Sequence, residues 1–294
     1  MIIVIVGPTG VGKTKLSISL AKKYNAEIIN GDAIQVYRGL DIGSAKVMDD
    51  EKEGIVHHLF DIKDVCEDYS IYDYQIDCRN KINEILGRGK NVVIVGGTGL
   101  YIKSALYDYT LDNKEMILGN YADISTEELY NRLKEVDKEI EIDKNNRRRI
   151  IRALDYYLNY GKSIKSNNKG NKLLYDALFI GLTTDREILY ERIDKRVDLM
   201  LDNGLMDEVK FFYDNGIRSK PLLGGIGYKE LYDYLDGNID YEEAVSLIKR
   251  NSRRYAKRQY TFFNNQFSVN WFFVNFDDFD KTVLEIENYI DNKY

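Results

Sequence analysis

The first strand-like run, Ile2 to Val6, leads directly into Gly7-Pro8-Thr9-Gly10-Val11-Gly12-Lys13-Thr14. This stretch fits G-x-x-x-x-G-K-S/T, and it constrains the fold more than any other in the chain. A buried strand, a glycine turn and a helix opening at Lys13 gather successive N–H groups and the positive end of the helix around one concavity. Gly7, Thr9, Gly10, Val11, Gly12, Lys13 and Thr14 are therefore the candidate phosphate-binding residues. Lys13 adds a point charge, and Thr14 offers a hydroxyl for the Mg²⁺ that travels with a diphosphate or triphosphate. The alternative is a glycine-rich turn with no ligand.

The pattern repeats downstream. Residues 27–30 read as a strand ending at Gly31-Asp32, Asn91–Val95 as a strand ending in Gly96-Gly97-Thr98-Gly99, and residues 177–182 as a fourth, with helical spacing over 72–87 between. Alternation of this kind predicts an α/β fold, a P-loop NTPase-like parallel sheet with helices on both faces. Ligands collect at the carboxyl ends of such strands, so Gly7–Thr14, Asp32 and Thr98 can share one crevice. Between 112 and 172 the texture becomes highly charged and helical (127–136 and 147–158), closing in the polar run 165–172. It is read as a small helical insertion or lid, with 1–111 and 173–294 forming the core domain. Helices dominate the C-terminal part, apart from a strand near 269–274.

ATP-using P-loop proteins usually carry an acid for Mg²⁺ at the end of a hydrophobic strand. Here the strand at Asn91–Val95 ends in Gly-Gly-Thr-Gly, and the nearest strand-end acid is Asp32. That departure favours a P-loop used on a phosphate other than ATP's.

Composition limits the remaining choices. The two cysteines, Cys66 and Cys78, make neither a disulfide framework nor a metal-ligand spacing, as expected of reduced thiols in the cytoplasm. The opening apolar run is too short to span a membrane and reads as no signal peptide. A net charge of −6 excludes a uniformly basic nucleic-acid binder but says little about local patches. Two such patches exist. Arg147, Arg148, Arg149 and Arg152 crowd one segment. Residues 249–259 contain no acid, and Arg250, Arg253, Arg254, Lys257 and Arg258 have the i, i+3, i+4, i+7, i+8 spacing of one helix face. A one-sign stripe suggests phosphate contact, a merely solvated helix being the alternative. His57 and His58 are adjacent, so their side chains diverge in regular structure; a structural or substrate-orienting role is favoured over a metal site.

Several further runs occur in order: Asn30-Gly31-Asp32-Ala33-Ile34-Gln35-Val36-Tyr37, His57-His58-Leu59-Phe60-Asp61-Ile62, Val95-Gly96-Gly97-Thr98-Gly99-Leu100-Tyr101, Arg147-Arg148-Arg149-Ile150-Ile151-Arg152, Arg196-Val197-Asp198-Leu199-Met200, Ile226-Gly227-Tyr228-Lys229-Glu230-Leu231 and Ala256-Lys257-Arg258-Gln259-Tyr260-Thr261. Together with the P-loop they resemble the bacterial tRNA dimethylallyltransferase (tRNA isopentenyltransferase) family, from residue 1 to about 274. The resemblance implies transfer of a dimethylallyl group from dimethylallyl diphosphate to N6 of adenine 37, beside the anticodon. On this reading the P-loop holds an isoprenoid diphosphate, with Mg²⁺ as cofactor and the anticodon stem-loop of tRNA as partner. No membrane or obligate protein partner is implied.

The resemblance assigns Asp32 as general base, Arg196 as the functional arginine and Thr98 to a position near the substrates. The bland counterparts are a helix N-cap or an outer Mg²⁺ contact for Asp32, an ion pair with Asp194 or Asp198 for Arg196, and a strand-end turn residue for Thr98. Asp32, Ala33, Ile34 and Gln35, with Thr98, Arg148, Arg149, Arg152, Gly227, Tyr228 and Lys229, would meet the tRNA, which flips its target base into the crevice. The basic stripe adds Arg250, Arg254 and Arg258. The family often has arginine where Lys229 stands, so a bidentate contact is not implied there. The rivals are an adenine-nucleotide isopentenyltransferase, a small-molecule P-loop kinase and a non-catalytic RNA-binding protein.

Overall fold

A computed structural model describes residues 1–111, 117–167 and 171–294. The chain forms two compact units, Met1–Leu106 with Tyr175–Tyr294, and Tyr107–Leu174.

The larger unit is built on a parallel sheet. Its strands are β1 (Ile2–Val6), β2 (Ala26–Asn30), β3 (His57–His58), β4 (Asn91–Val95), β5 (Ala177–Thr183) and β6 (Asn270–Phe273), in the order β3-β2-β4-β1-β5-β6. Ile3 pairs with Val93 on one side and Leu178 on the other, so the P-loop strand lies centrally. β1 and β2 are fully buried along their length, the continuous apolar run expected of a parallel strand covered on both faces. The helices of this unit are α1 (Lys13–Lys23), α2 (Ile71–Gly87), α3 (Gly99–Leu106), α6 (Arg186–Asp202), α7 (Leu205–Asp214), α8 (Lys220–Gly224), α9 (Tyr228–Leu235), α10 (Tyr241–Gln266) and α11 (Phe279–Asp291). Alternate strand residues Ile3, Ile5, Ile28, Val93 and Ile180 share a core with Leu16 and Leu20 of α1, Ile193 of α6 and Ile286 of α11. On α2, Tyr74 is fully buried and donates to Asn30 O at 2.9 Å. At the end of α10, Phe267 stacks on Phe179 of β5 at 5.0 Å.

The smaller unit packs α4 (Thr126–Val136) against α5 (Arg147–Tyr160), followed by a 3₁₀ turn at Ile164–Asn167. Leu129, Leu133, Ile150, Ala153 and Leu154 form its core. Both helices carry side-chain caps: Ser125 accepts from Glu128 N, and Asn146 from Arg149 N. The unit is wider than the 112–172 expected from charge texture. Tyr107 bridges Leu173, and Asp108 N donates to Lys172 O at 2.9 Å, so the paired stems belong to it. Residues 112–116, which include the expected boundary, and 168–170 of the polar run lie outside the described residues. The sequence also missed β3, a two-residue strand with no alternation to reveal it.

Candidate active site

The chain between β1 and α1 turns back through Gly7, Gly10 and Gly12, all at positive φ. At Gly12 (φ +93°) the left-handed backbone is matched by a close approach. A Cβ there would lie 2.6 Å from the ring of Phe279. Lys13 folds its Nζ back onto the loop, donating to Gly7 O at 3.0 Å and Pro8 O at 2.7 Å. Burial, and then the nearby Arg196, lower its pKa to about 7, against an opposing pull from Asp32. Thr9, Gly10, Gly12, Lys13 and Thr14 line a cavity of about 520 Å³. Two of the predicted phosphate-binding residues do not: Gly7 contributes its carbonyl to Lys13, and the Val11 side chain is fully buried in the sheet core.

Facing the loop is the end of β2. Fully buried Asn30 holds the next turn from beneath. Its Oδ1 accepts from Asp32 N at 2.8 Å, and its Nδ2 donates to Asp32 O and Leu59 O. Asp32 Oδ1 accepts from Ile34 N at 2.9 Å, a local turn contact and not a helix cap. Burial raises the Asp32 pKa, outweighing that hydrogen bond and the attraction of Lys13 and Arg196. The Thr98 hydroxyl accepts from Ala33 N at 3.0 Å, so Thr98 lines the cavity and also fixes the strand-end turn.

Arg196 enters from α6. The acids that could have paired with it are already engaged: Asp194 takes both contacts from Arg253 Nη1, at 2.5 and 2.6 Å, and Asp198 takes Lys249 at 2.5 Å. Arg196 instead lines the cavity, where burial lowers its pKa and Asp32 opposes that shift. Val47, Phe60, Ile193, Met200 and Ile226 supply an apolar part of the wall. The site therefore combines a phosphate cradle, the cations Lys13 and Arg196 beside it, a carboxylate and room for a hydrophobic group.

The oxygen donors suit Mg²⁺ carried in on a diphosphate. Thr14 presents a hydroxyl beside the cradle, and this ion needs only one or two protein oxygens when phosphates and water complete its shell. Among the described residues no cluster of three or more His, Cys, Asp or Glu could hold a metal by itself. His58 is engaged elsewhere, with Nε2 at 2.6 Å from Glu27, while His57 lines the cavity beside Phe60 with Nδ1 against Ile55 O.

Several sequence expectations change. Arg253 leaves the basic stripe for Asp194 of α6, where the neighbouring Lys249 pairs with Asp198, and Arg250, Arg254, Lys257 and Arg258 remain exposed. Of these Arg258 lines the cavity; Arg250, Arg254 and Lys229 do not. Arg147 is tied to Ile124 O and Tyr121 O at 2.6 Å, leaving Arg148, Arg149 and Arg152 as the exposed cations of α5. Ala33, Ile34, Gln35, Gly227 and Tyr228 line the cavity, but the Gln35 amide is turned to Ser44 O and Ala45 O. The Tyr228 hydroxyl donates to Glu208 at 2.6 Å. Glu208 was not foreseen: it also accepts from the N–H groups of Asp41, Ile42 and Gly43, clamping the loop after β2 to α7. No local signal marks it, because its partners lie far away in sequence. Gln259 lies in the Ala256–Thr261 run, whose pattern assigns it no role, yet it accepts from Thr9 N and donates to Gly97 O.

A family model described as IPP transferase matches residues 35–266. The chain is 48% identical over 301 residues to a protein of Anoxybacillus flavithermus named tRNA dimethylallyltransferase, covering 100% of this chain and 97% of that one. A Bacillus subtilis protein of the same name is 50% identical over 282 residues, covering 92% and 90%. The fold is similar to the crystal structure of a full-length tRNA isopentenylpyrophosphate transferase from Bacillus halodurans, with 43% identity, a TM-score of 0.76, and coverage of 99% of this chain and 96% of that one. It is also similar to a eukaryotic dimethylallyltransferase acting on tRNA, with 31% identity, a TM-score of 0.84, and coverage of 99% and 79%.

Proposed function

The chain belongs to the IPP transferase family, and we propose that it transfers a dimethylallyl group from dimethylallyl diphosphate to N6 of adenine 37 in tRNA, releasing diphosphate. The observation that supports this most directly is the shared cavity: a P-loop cradle and a half-buried carboxylate, Asp32, line one space that also has an apolar wall.

The chemistry follows from those groups. The bond between the allylic carbon and the bridging oxygen breaks, and its electron pair leaves with the diphosphate. Fixed donors already aimed at that leaving charge lower the barrier. Here they are the N–H groups from Gly10 to Thr14, the Lys13 ammonium and the Arg196 guanidinium. Thr14 would hold Mg²⁺, whose charge offsets the rest. The adenine amine is a weak nucleophile that grows acidic as its C–N bond forms. Asp32 accepts that proton, and a base with a raised pKa suits the task. Val47, Phe60, Ile193, Met200 and Ile226 offer the surface on which a five-carbon chain can shed water.

The tRNA backbone meets Arg250, Arg254, Lys257 and Arg258 on α10 and Arg148, Arg149 and Arg152 on α5. Phosphate contacts of this kind supply salt-sensitive affinity. The reaction belongs to the cytoplasm and requires no protein partner. No helix among the described residues is long and apolar enough to cross a membrane.

The test is mass spectrometry of nucleosides from unmodified tRNA incubated with the protein, Mg²⁺ and dimethylallyl diphosphate. N6-dimethylallyl adenosine at the anticodon loop is expected, and none from AMP in a parallel tube. Prenylated AMP without prenylated tRNA would make this an adenine-nucleotide enzyme. No prenylation at all would return the P-loop to ATP.

A further inference from the structure

Within the Ala256–Thr261 run, Lys257 and Arg258 face the tRNA, but prenyl transfer as described gives Gln259 no role. The side chain is 5% exposed and lies on α10, far in sequence from the two backbone groups it bonds. Its Oε1 accepts from the backbone N–H of Thr9 at 3.0 Å. Its Nε2 donates to Gly97 O at 3.0 Å. Only this orientation of the amide satisfies both partners, one a donor and the other an acceptor. The fit is close: a Cβ at Gly97 would lie 2.2 Å from Gln259 Nε2. Gly97 O also accepts from the Tyr255 hydroxyl, one turn earlier on α10, at 3.3 Å.

Both ends of this bridge continue into the reaction centre. Thr9 belongs to the phosphate cradle. Gly97 precedes Thr98, whose hydroxyl holds Ala33 N and whose N–H donates to Gly31 O at 3.0 Å, so Thr98 fixes the turn that carries Asp32. We propose that Gln259 is a positioning residue that sets the spacing between the diphosphate cradle and the Asp32 carboxylate. It does so as a simultaneous donor and acceptor bridging Thr9 and Gly97. Small errors in such spacing are costly because transfer needs leaving group, acceptor and base aligned together. The inference rests on the proposed prenyl transfer and adds a residue to it.

The decisive variant is Gln259→Glu in the full chain, compared with the unaltered protein across a pH series in the tRNA prenylation assay. An ionised carboxylate still accepts from Thr9 N–H but turns its other oxygen on Gly97 O. A neutral carboxyl restores the donor. Burial and that facing carbonyl raise the introduced group's pKa above the ordinary carboxylate range. The expected result is at least a tenfold loss of kcat above neutrality. The ratio of variant to unaltered activity should then climb as pH falls. Gln259→Leu should show the loss without the recovery. Inorganic diphosphate and tRNA should bind both variants within about threefold of the unaltered protein, because the groups that hold them remain. If the glutamate variant does not fold, the leucine variant carries the test through its split between kcat and binding. Unchanged kcat, a pH-independent ratio, or a loss of diphosphate affinity as large as the loss in kcat would each overturn the assignment. If the unaltered protein itself fails to prenylate tRNA, the proposed function falls first.

Discussion

Glu27, buried within β2, and Asp32, half-buried beyond its carboxyl end, are acids at the two ends of one strand, and they have opposite chemistry. Glu27, in β2, is 2% exposed. Burial pushes its carboxyl up, but Lys90 at 2.9 Å, His58 at 2.6 Å and Arg88 at 2.7 Å outweigh it and hold the pKa down to about 2. Asp32, just beyond the carboxyl end of β2, has a backbone contact on one oxygen and cations nearby that do not bond to it. There burial wins, and the pKa rises. The lesson concerns partners more than depth. A carboxylate saturated by contact cations is a strut. One left partly unpaired beside a cavity is available for proton transfer, at some expense in stability.

The largest effect expected from breaking this contrast is at Asp32. Asp32→Asn keeps an oxygen for Ile34 N–H but removes the base, so kcat for prenylation should fall about 10²–10⁴-fold, with tRNA affinity retained in a filter-binding assay. Its stability to urea should be unchanged or higher. A carboxyl whose folded pKa is raised opposes folding while ionised, and the amide removes that opposition. Full activity in this variant would remove Asp32 as the base.

The pH profile sharpens the same point from both sides. As pH falls through the raised pKa of Asp32, the carboxylate takes a proton and kcat should drop about tenfold per unit. As pH rises through about 7, free Lys13 loses its charge, so kcat/KM for dimethylallyl diphosphate should decline. At saturating donor kcat should hold, because bound diphosphate keeps the ammonium protonated. A kcat/KM for the donor that is flat between neutral and alkaline pH would count against Lys13 as the cradle's cation.

Glu27→Gln is the converse variant. It should cost about 3 kcal/mol of stability, as expected when one member of a buried ion network is removed, and leave kcat of the folded protein within about twofold, since Glu27 touches neither substrate. The sign with pH is fixed by the lowered pKa. The stability gap to the unaltered protein is complete above about 4.5, the ordinary carboxylate value, and shrinks as pH falls toward about 2. Chemical denaturation at several pH values reads it directly.

Such pairs also show what can be read from a sequence. The P-loop, β1 and α1 are legible because their determinants are contiguous, and Asp32 because it ends a strand beside glycines. Arg196 is legible only through resemblance; geometry then adds that Asp194 and Asp198 are taken by Arg253 and Lys249. That same pairing is why the basic stripe is narrower than its helical spacing suggests: its cancelling charges sit on another helix. The bridge from Gln259 to Thr9 spans 250 residues, and no local pattern encodes it. Gly97 and Gly99 read as a strand-end turn, yet a Cβ at either would strike α10, at Gln259 Nε2 or at Phe262. The Gly-Gly-Thr-Gly run that replaces an acid after β4 is thus where α10 packs down on the site.

The smallest expected effect is the most demanding test of the contrast. Arg88 is the most exposed partner of Glu27, with 47% of its side chain accessible. Solvent screening leaves such a contact worth little, so Arg88→Ala should cost about 0.5–1 kcal/mol. The loss should shrink at high salt, while Lys90 and His58 continue to hold the carboxylate. Activity and the acid limb of its pH profile should not move, because the cations acting on Asp32 are Lys13 and Arg196 at the opposite end of the strand. A shifted acid limb in Arg88→Ala, measured alongside the unaltered enzyme, would mean that the two ends of β2 are electrostatically coupled and that strut and base are not independent.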